Sequence, residues 1–349
     1  MSRLHNLRRL TRLAKTVFHA NREAGNYHKQ VQREAAEIIA KSKAINEQAS
    51  EGKLSERMFK KLQWYMVTHL LMGEMFADLE GRKLTKEEQL RYMILGPVLG
   101  LSDILIDDFK FGESQINQLL QADYQSVSNR GVEQIFQLYN SALYESTPDE
   151  CHDDLTKVFK DFHKSQIDSG QQFDPNISPE ELERVIMEKG GTSVLLCRAI
   201  LSPMTEIEEK AYYQVGGLMQ KMNDAVDLYK DGKEGIVTSA NSLPDMPAMI
   251  TRLNDQKEAA FSALRQMNFA ADRIDDFMFV FHIYVVSVEF KLDEYRRKCG
   301  GTFTMEKYLN LSKKTAASQP FSMRSGHFSL WKILNYVPCL LYTSPSPRD

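Results

Sequence analysis

The chain is predicted to be all-α, a single-domain bundle of roughly ten helices over residues 30–300. Three observations predict it. Apolar residues recur at three- and four-residue steps along most of the length, the period of a helix with one buried face. Alternating apolar–polar runs bounded by turn residues are essentially absent, which argues against strands. A 349-residue chain that is 42% apolar and 26% charged also has ample material for one large core.

The elements follow in order. In ERMFKKLQWYMVTHLLMGEMFADLEG (Glu56–Gly81), Met58, Phe59, Leu62, Met66, Leu70 and Phe76 mark one apolar face. Thr85 caps a second helix, from Glu87 to Lys110, in which Gly96-Pro97 is expected to cause a kink or a break because proline lacks the amide donor. Further helices are predicted at 112–122, 130–145, 151–168, 178–201, 204–230, 244–266 and 270–298. Ser178-Pro179-Glu180-Glu181 is a start signal, with a cap, a proline in the first turn and acids near the positive end of the helix dipole. Asp231-Gly232-Lys233-Glu234-Gly235 reads as a polar loop ending a helix. The most apolar run, Phe277–Phe290, lies between Asp275-Asp276 and Lys291 and is too short to span a bilayer, so no transmembrane helix is expected.

The termini read differently. Residues 1–29 form a basic leader with Arg3, Arg8, Arg9, Arg12, Lys15, Arg22 and Lys29 against the single acid Glu23. A solvated leader is expected, with an organelle presequence or a membrane-surface arm as alternatives. Residues 301–338 read as a C-terminal segment, and CLLYTSPSPRD (339–349) as the translation of a sequencing adapter, with the natural C-terminus lying elsewhere. A net charge of −3 gives no basic field for nucleic acid. Cys151, Cys197, Cys299 and Cys339 have no metal or disulfide spacing and suit a reducing compartment, so a cytoplasmic location is expected.

Two acidic segments carry the chemistry. In DILIDDF, Asp103 and Asp107 share a helix face, Asp108 follows, and the intervening residues are apolar. In NDAVDLYKD, Asn223, Asp227 and Asp231 are spaced i, i+4, i+8; each step turns about 40°, so all three fall on one face. Faces of oxygen donors on two helices suit Mg²⁺, which binds through carboxylates together with substrate phosphates. Lys230 lies beside the second face and offers a cation to a phosphate. Between the segments, Glu188-Lys189-Gly190-Gly191-Thr192-Ser193 is expected to break a helix, exposing amides and Lys189 to an anion. The bland alternative for either segment is a solvated acidic face.

The two segments resemble the two metal-binding motifs of class I terpene synthases, within the isoprenoid synthase superfamily. NDAVDLYKD is similar to the second motif and DILIDDF to the first aspartate-rich one. The resemblance covers residues 60–300 as helix pattern, and only the short motifs are specific. It implies a terpenoid synthase-like bundle around a central apolar cavity, with about three Mg²⁺ ions as cofactor. Asp103, Asp107, Asp108, Asn223, Asp227 and Asp231 would be the ligands. Lys230, Lys189, Arg184 and the pair Tyr295-Arg296 would contact diphosphate, with Asp107, Asp108, Asn223 and Lys230 counted as catalytic. The chain departs from the motifs in three ways. The first reads D-x-x-x-D-D, Asp227 stands for Ser or Thr, and Asp231 stands for Glu. A ligand pair separated by about 12 Å of helix rise is harder for a shorter acid to close. The Tyr295-Arg296 order is also the reverse of the family's.

The implied activity is a lyase: ionisation of an allylic prenyl diphosphate followed by cyclisation of the carbocation. Alternatives are a head-to-head or chain-elongating prenyl transferase and a non-catalytic helical interaction protein. A prenyl diphosphate is the expected partner, with a homodimer and membrane-surface contact as further options. Aromatics such as Trp64, Tyr65, Phe76, Phe109, Tyr212, Tyr213, Phe279 and Phe281 suit a hydrocarbon pocket, although most are expected in the core. Other chemistries find little support. Cys151-His152-Asp153-Asp154 has only His163 near it for a phosphohydrolase, and none of the eight histidines has the Glu three residues before it that a di-metal bundle needs.

Overall fold

Capped amphipathic helices account for nearly all of the computed structural model, which describes residues 26–119 and 130–316. The helices are α1 (26–34), α2 (Ala36–Gln48), α3 (Glu56–Leu79), α4 (Lys86–Asp107), α5 (Glu113–Leu119), α6 (Gly131–Ser146) and α7 (His152–Asp168). They continue as α8 (Pro179–Ala199), α9 (Glu206–Val226), α10 (Leu228–Glu234), α11 (Met246–Leu264), α12 (Ala271–Lys298), α13 (Met305–Leu309) and α14 (Lys313–Ala316). Among the described residues the only β pairing is an isolated bridge between Glu51 and Arg130. The fold is all-α. The leader to residue 25 and everything after residue 316, including the adapter-like tail, lie outside the described residues.

The helix starts are those the sequence signals. Thr85 and Thr205 form reciprocal capping boxes with Glu88 and Glu208, and the Ser178 hydroxyl accepts from Glu181 N–H. Gly235 ends α10 in the left-handed region (φ 72°), where a side chain would be strained.

Three expectations about the helices change. First, α4 runs unbroken through Pro97. Gly96 and Gly100 lie against α3, where an added Cβ would stand 2.5 Å from the Tyr65 carbonyl and 2.4 Å from its ring. The helix thus continues through the proline where it packs closely against α3. Second, α8 runs unbroken through Gly190-Gly191. Both glycines are buried against α9: a Cβ on Gly190 would stand 2.2 Å from the Gly216 carbonyl, and one on Gly191 would stand 2.3 Å from the Tyr213 ring. They bring two helix backbones into contact rather than interrupting one. Third, the helix predicted over 204–230 is two helices, α9 and α10, meeting at a bend at Asp227 (φ −87°, ψ 9°), and Asp231–Glu234, expected as a polar loop, form the end of α10.

One helix, α4, is long and apolar enough to cross a membrane by length and composition, contrary to expectation. Its apolar window is 78% buried inside the fold, which makes it the central core helix. Around it, Phe76 packs edge-on to Tyr212 at 5.1 Å and stacks on Phe277 at 6.1 Å. These rings are core, whereas Trp64 is 56% exposed. The buried guanidinium of Arg198 pairs with Glu80 at 3.1 Å and Glu208 at 3.6 Å, tying the ends of α3 and α8 to the start of α9. Beyond α12, Tyr308 is buried among Tyr295, Tyr229 and Phe303, and Gly232 lies under Leu309. The segment around α13 is thereby packed onto α10.

His163 is 2% exposed, stacked on Phe159 at 5.6 Å, with Nδ1–H donating to Phe159 O at 2.8 Å and Nε2 facing the Ser102 hydroxyl at 2.9 Å. Burial lowers its pKa from 6.5 to about 4. A lowered histidine pKa means that the unfolded chain takes the proton first as pH falls. Its contribution is intact above pH 6.5 and is lost between there and about 4. Urea unfolding at pH 7 and pH 4.5 should show up to about 3 kcal/mol of this loss, and less of it in His163→Gln. Gly190→Ala should destabilise by about 3 kcal/mol in the same assay. Gly170→Ala, where a Cβ meets nothing within 4 Å, should stay within about 0.5 kcal/mol of the parent.

Candidate functional site

The last turn of α4 carries Asp103 and Asp107, and Asp108 caps it. Asp103 is half-buried and the other two are exposed. Burial raises the Asp103 pKa to about 6; Asp107 pushes the same way, while Lys189 and Lys61 oppose it. Burial thus disfavours the ionised carboxylate despite two nearby lysines.

Packing supplies the α3 side of the site. With the Tyr65 ring laid against Gly100, Lys61 lies one turn towards the start of α3 and places its Nζ 5.4 Å from the ring centroid. Burial works against the Lys61 ammonium, yet Tyr65, Asp103 and Asp108 hold its pKa above the ordinary lysine value. Burial and the Asp103 charge raise the Tyr65 pKa, and Lys61 and Lys230 act in the opposite direction. Tyr65 thus senses both the first acidic segment and the lysine of the second.

The α8–α9 contact supplies the other side. Lys189 immediately precedes the Gly190 crossing and acts electrostatically on Asp103 and on Asp224. The second motif keeps its shared face through the bend, because Asp227 N–H donates to Asn223 O at 2.8 Å and Asp231 N–H to Asp227 O at 2.9 Å. Along that face Asn223 is exposed, Asp227 half-buried and Asp231 buried. Burial, followed by the Asp227 and Asp224 charges, raises the Asp231 pKa to about 7 against Lys230. Lys230 itself is exposed, 3.9 Å from Glu234.

The structure separates the other predicted contacts. Arg184 is held by Glu181 at 2.5 Å, by Glu188, and by Asp168 at 3.7 Å, so its charge is answered away from the two acidic segments. Tyr295 is buried and donates to Val226 O at 2.9 Å, which pins α12 beside the bend. Arg296 is exposed and pairs with Asp293 at 2.7 Å. Among the described residues no three Asp, Glu, His or Cys side chains converge as a ready-made metal cage. A cleft of about 460 Å³ lies elsewhere, where Glu183 answers both Lys221 and Arg252.

Three contributors escape the sequence reading. Lys61 is one. Lys291 of α12 is a second: it is 4% exposed, 5.7 Å from the Tyr295 ring centroid and attracted by Asp227, and burial lowers its pKa to about 8. The available signal was one charge ending an apolar run. The third is Asp224, 2% exposed, whose carboxylate accepts from Ser239 N–H at 3.0 Å, Ser239 Oγ at 2.7 Å and Gln220 Nε2 at 2.9 Å. It anchors the loop after α10 to α9.

No family model matches the chain, and no curated protein matches it. Among solved structures, a geranyltransferase from Legionella pneumophila is similar at 12% identity and a TM-score of 0.45, covering 76% of this chain and 98% of that one.

Asp224→Ala leaves the two buried Ser239 donors and the half-buried Gln220 amide without this acceptor and should cost about 3 kcal/mol in urea unfolding. Limited proteolysis should show new cleavage between residues 235 and 245.

Proposed function

We propose that the chain is a class I, Mg²⁺-dependent enzyme that ionises an allylic prenyl diphosphate and cyclises the resulting carbocation. The observation that supports this reading is that Asp103 at the end of α4 and Asp224, next to Asn223 on α9, both feel the charge of Lys189 on α8. A solvated acidic face would have no such partner.

Asp103, Asp107 and Asp108 on α4 and Asn223, Asp227 and Asp231 on α9–α10 are the oxygen donors that would hold Mg²⁺. The donor set fits a hard cation. It needs no ready-made cage, since Mg²⁺ keeps waters and takes substrate phosphates as ligands. When bound, the ions supply Lewis-acid stabilisation of the departing diphosphate. Lys189, Lys230 and Lys291 draw the leaving group towards the motif from α8, α10 and α12. Because these charges are held by packed helices, little reorganisation is needed as negative charge develops. Tyr65, between Lys61 and Asp103, offers a phenol and a π-face at the same end.

One observation favours a prenyl transferase as the second reading. Lys61 lies with the first carboxylate cluster and Lys291 with the second, so each cluster has its own cation, as two diphosphates would require.

The test is incubation of the purified chain with geranyl, farnesyl and geranylgeranyl diphosphates, with and without Mg²⁺. Hexane extracts and the aqueous phase are then analysed by mass spectrometry. A cyclic hydrocarbon or alcohol is expected that requires Mg²⁺ and falls about 100-fold or more in Asn223→Ala. Lys189→Gln should also lose activity, whereas Arg184→Gln should retain it. A longer prenyl diphosphate in the aqueous phase would establish the transferase instead. No turnover, with no Mg²⁺-dependent diphosphate binding, would overturn both.

A further inference from the structure

We infer that Lys61 is a built-in cation of the first carboxylate cluster, opposing a divalent metal there until a diphosphate binds, so that metal and diphosphate bind cooperatively. The inference rests on the proposed reading of the site and goes beyond it by assigning a coupling between the two ligands to one residue of α3.

The register of α3 against α4 places the lysine. A Cβ on Gly96 would stand 2.5 Å from the Tyr65 carbonyl, and one on Gly100 would stand 2.4 Å from the Tyr65 ring. Successive turns of α4 therefore lie against this one residue of α3. The Leu62 side chain is the next neighbour of Gly100, at 3.0 Å from the same Cβ. Moving along α4 beyond Gly100 thus moves back along α3, as in an antiparallel pair. One further turn of α4 brings Asp103 and then Asp107; one turn back along α3 brings Lys61. Its Nζ is 5.4 Å from the Tyr65 ring centroid, a cation–π distance, and the side chain reaches solvent.

The consequence is electrostatic. A positive charge at the level of Asp103 and Asp108 already answers part of their charge and repels an arriving divalent ion. A diphosphate reverses this. Its negative charge pairs with the exposed ammonium, which can turn from the Tyr65 ring, and the repulsion of the metal is neutralised. Each ligand then raises the affinity of the other by the same factor, as linkage requires. Arg184 could not act in this way, because Glu181 and Glu188 already hold its guanidinium.

The experiment uses the full chain with Mn²⁺ and inorganic pyrophosphate, and does not depend on turnover. The EPR signal of free Mn²⁺ measures metal affinity without pyrophosphate. Equilibrium dialysis of labelled pyrophosphate, with and without Mn²⁺, measures the coupling. Lys61→Gln should bind Mn²⁺ alone about fivefold tighter, the lower edge of ordinary coupling between sites, and lose coupling by a similar factor. Lys61→Arg, which keeps the charge, should behave as the parent. A parent that couples the two ligands while Lys61→Gln matches it in both measurements would overturn the inference and leave the proposed function standing. A parent that retains no pyrophosphate with Mn²⁺ would overturn both. Thermal unfolding of Lys61→Gln shows whether the variant is folded; replacing an exposed lysine should leave the melting temperature close to that of the parent.

Discussion

The backbone contact between α8 and α9 at Gly190 and Gly216 is the constraint on which the site depends. An added Cβ on either glycine would stand 2.2 Å from the carbonyl oxygen of the other, so the two helices approach as closely as peptide groups allow. That distance bears on how near Lys189 comes to Asp224. A wider crossing would weaken the field of Lys189 at Asp224, since the attraction falls with separation. A comparable device on α4, with Gly96 and Gly100 under Tyr65, sets where α3 delivers Lys61. Both halves of the site are positioned by helices meeting over residues that have no side chain.

The charges so assembled are incompletely matched. Asp103 and Asp231 have raised pKa values, first through burial and then through neighbouring carboxylates, while Lys291 has a lowered one. Such groups destabilise a fold unless another interaction compensates. Elsewhere the chain does compensate: Arg198 is buried against Glu80 and Glu208, and Lys221 is paired with Glu183 and donates to Gln256. Raised carboxylates at Asp103 and Asp231 and a lowered ammonium at Lys291 are perturbations of the kind that cluster at functional sites.

Much of the fold was legible because it is local. Capping residues, first-turn acids and apolar periodicity act within a few residues, and they correctly placed the starts of α4, α8 and α9. The failures are also physical. Proline and glycine were read as helix breakers at Pro97 and Gly190-Gly191, which is their local preference. Burial against a neighbouring helix overrode it in both cases. In the second motif, the i, i+4, i+8 spacing was that of one continuous helix, and nothing in it disclosed the bend at Asp227.

By itself, the sequence determined the helical class, the helix starts and two segments rich in oxygen donors, because each depends on neighbours along the chain. Tertiary structure alone decided which cations answer those donors. Lys61 lies 42 residues before Asp103 and Lys291 lies 60 residues after Asp231, whereas Arg184, only 39 residues before Asn223, is held by other carboxylates. Sequence distance carries no information on this point. Helix register and close glycine contacts do, because electrostatic interaction depends on separation through space.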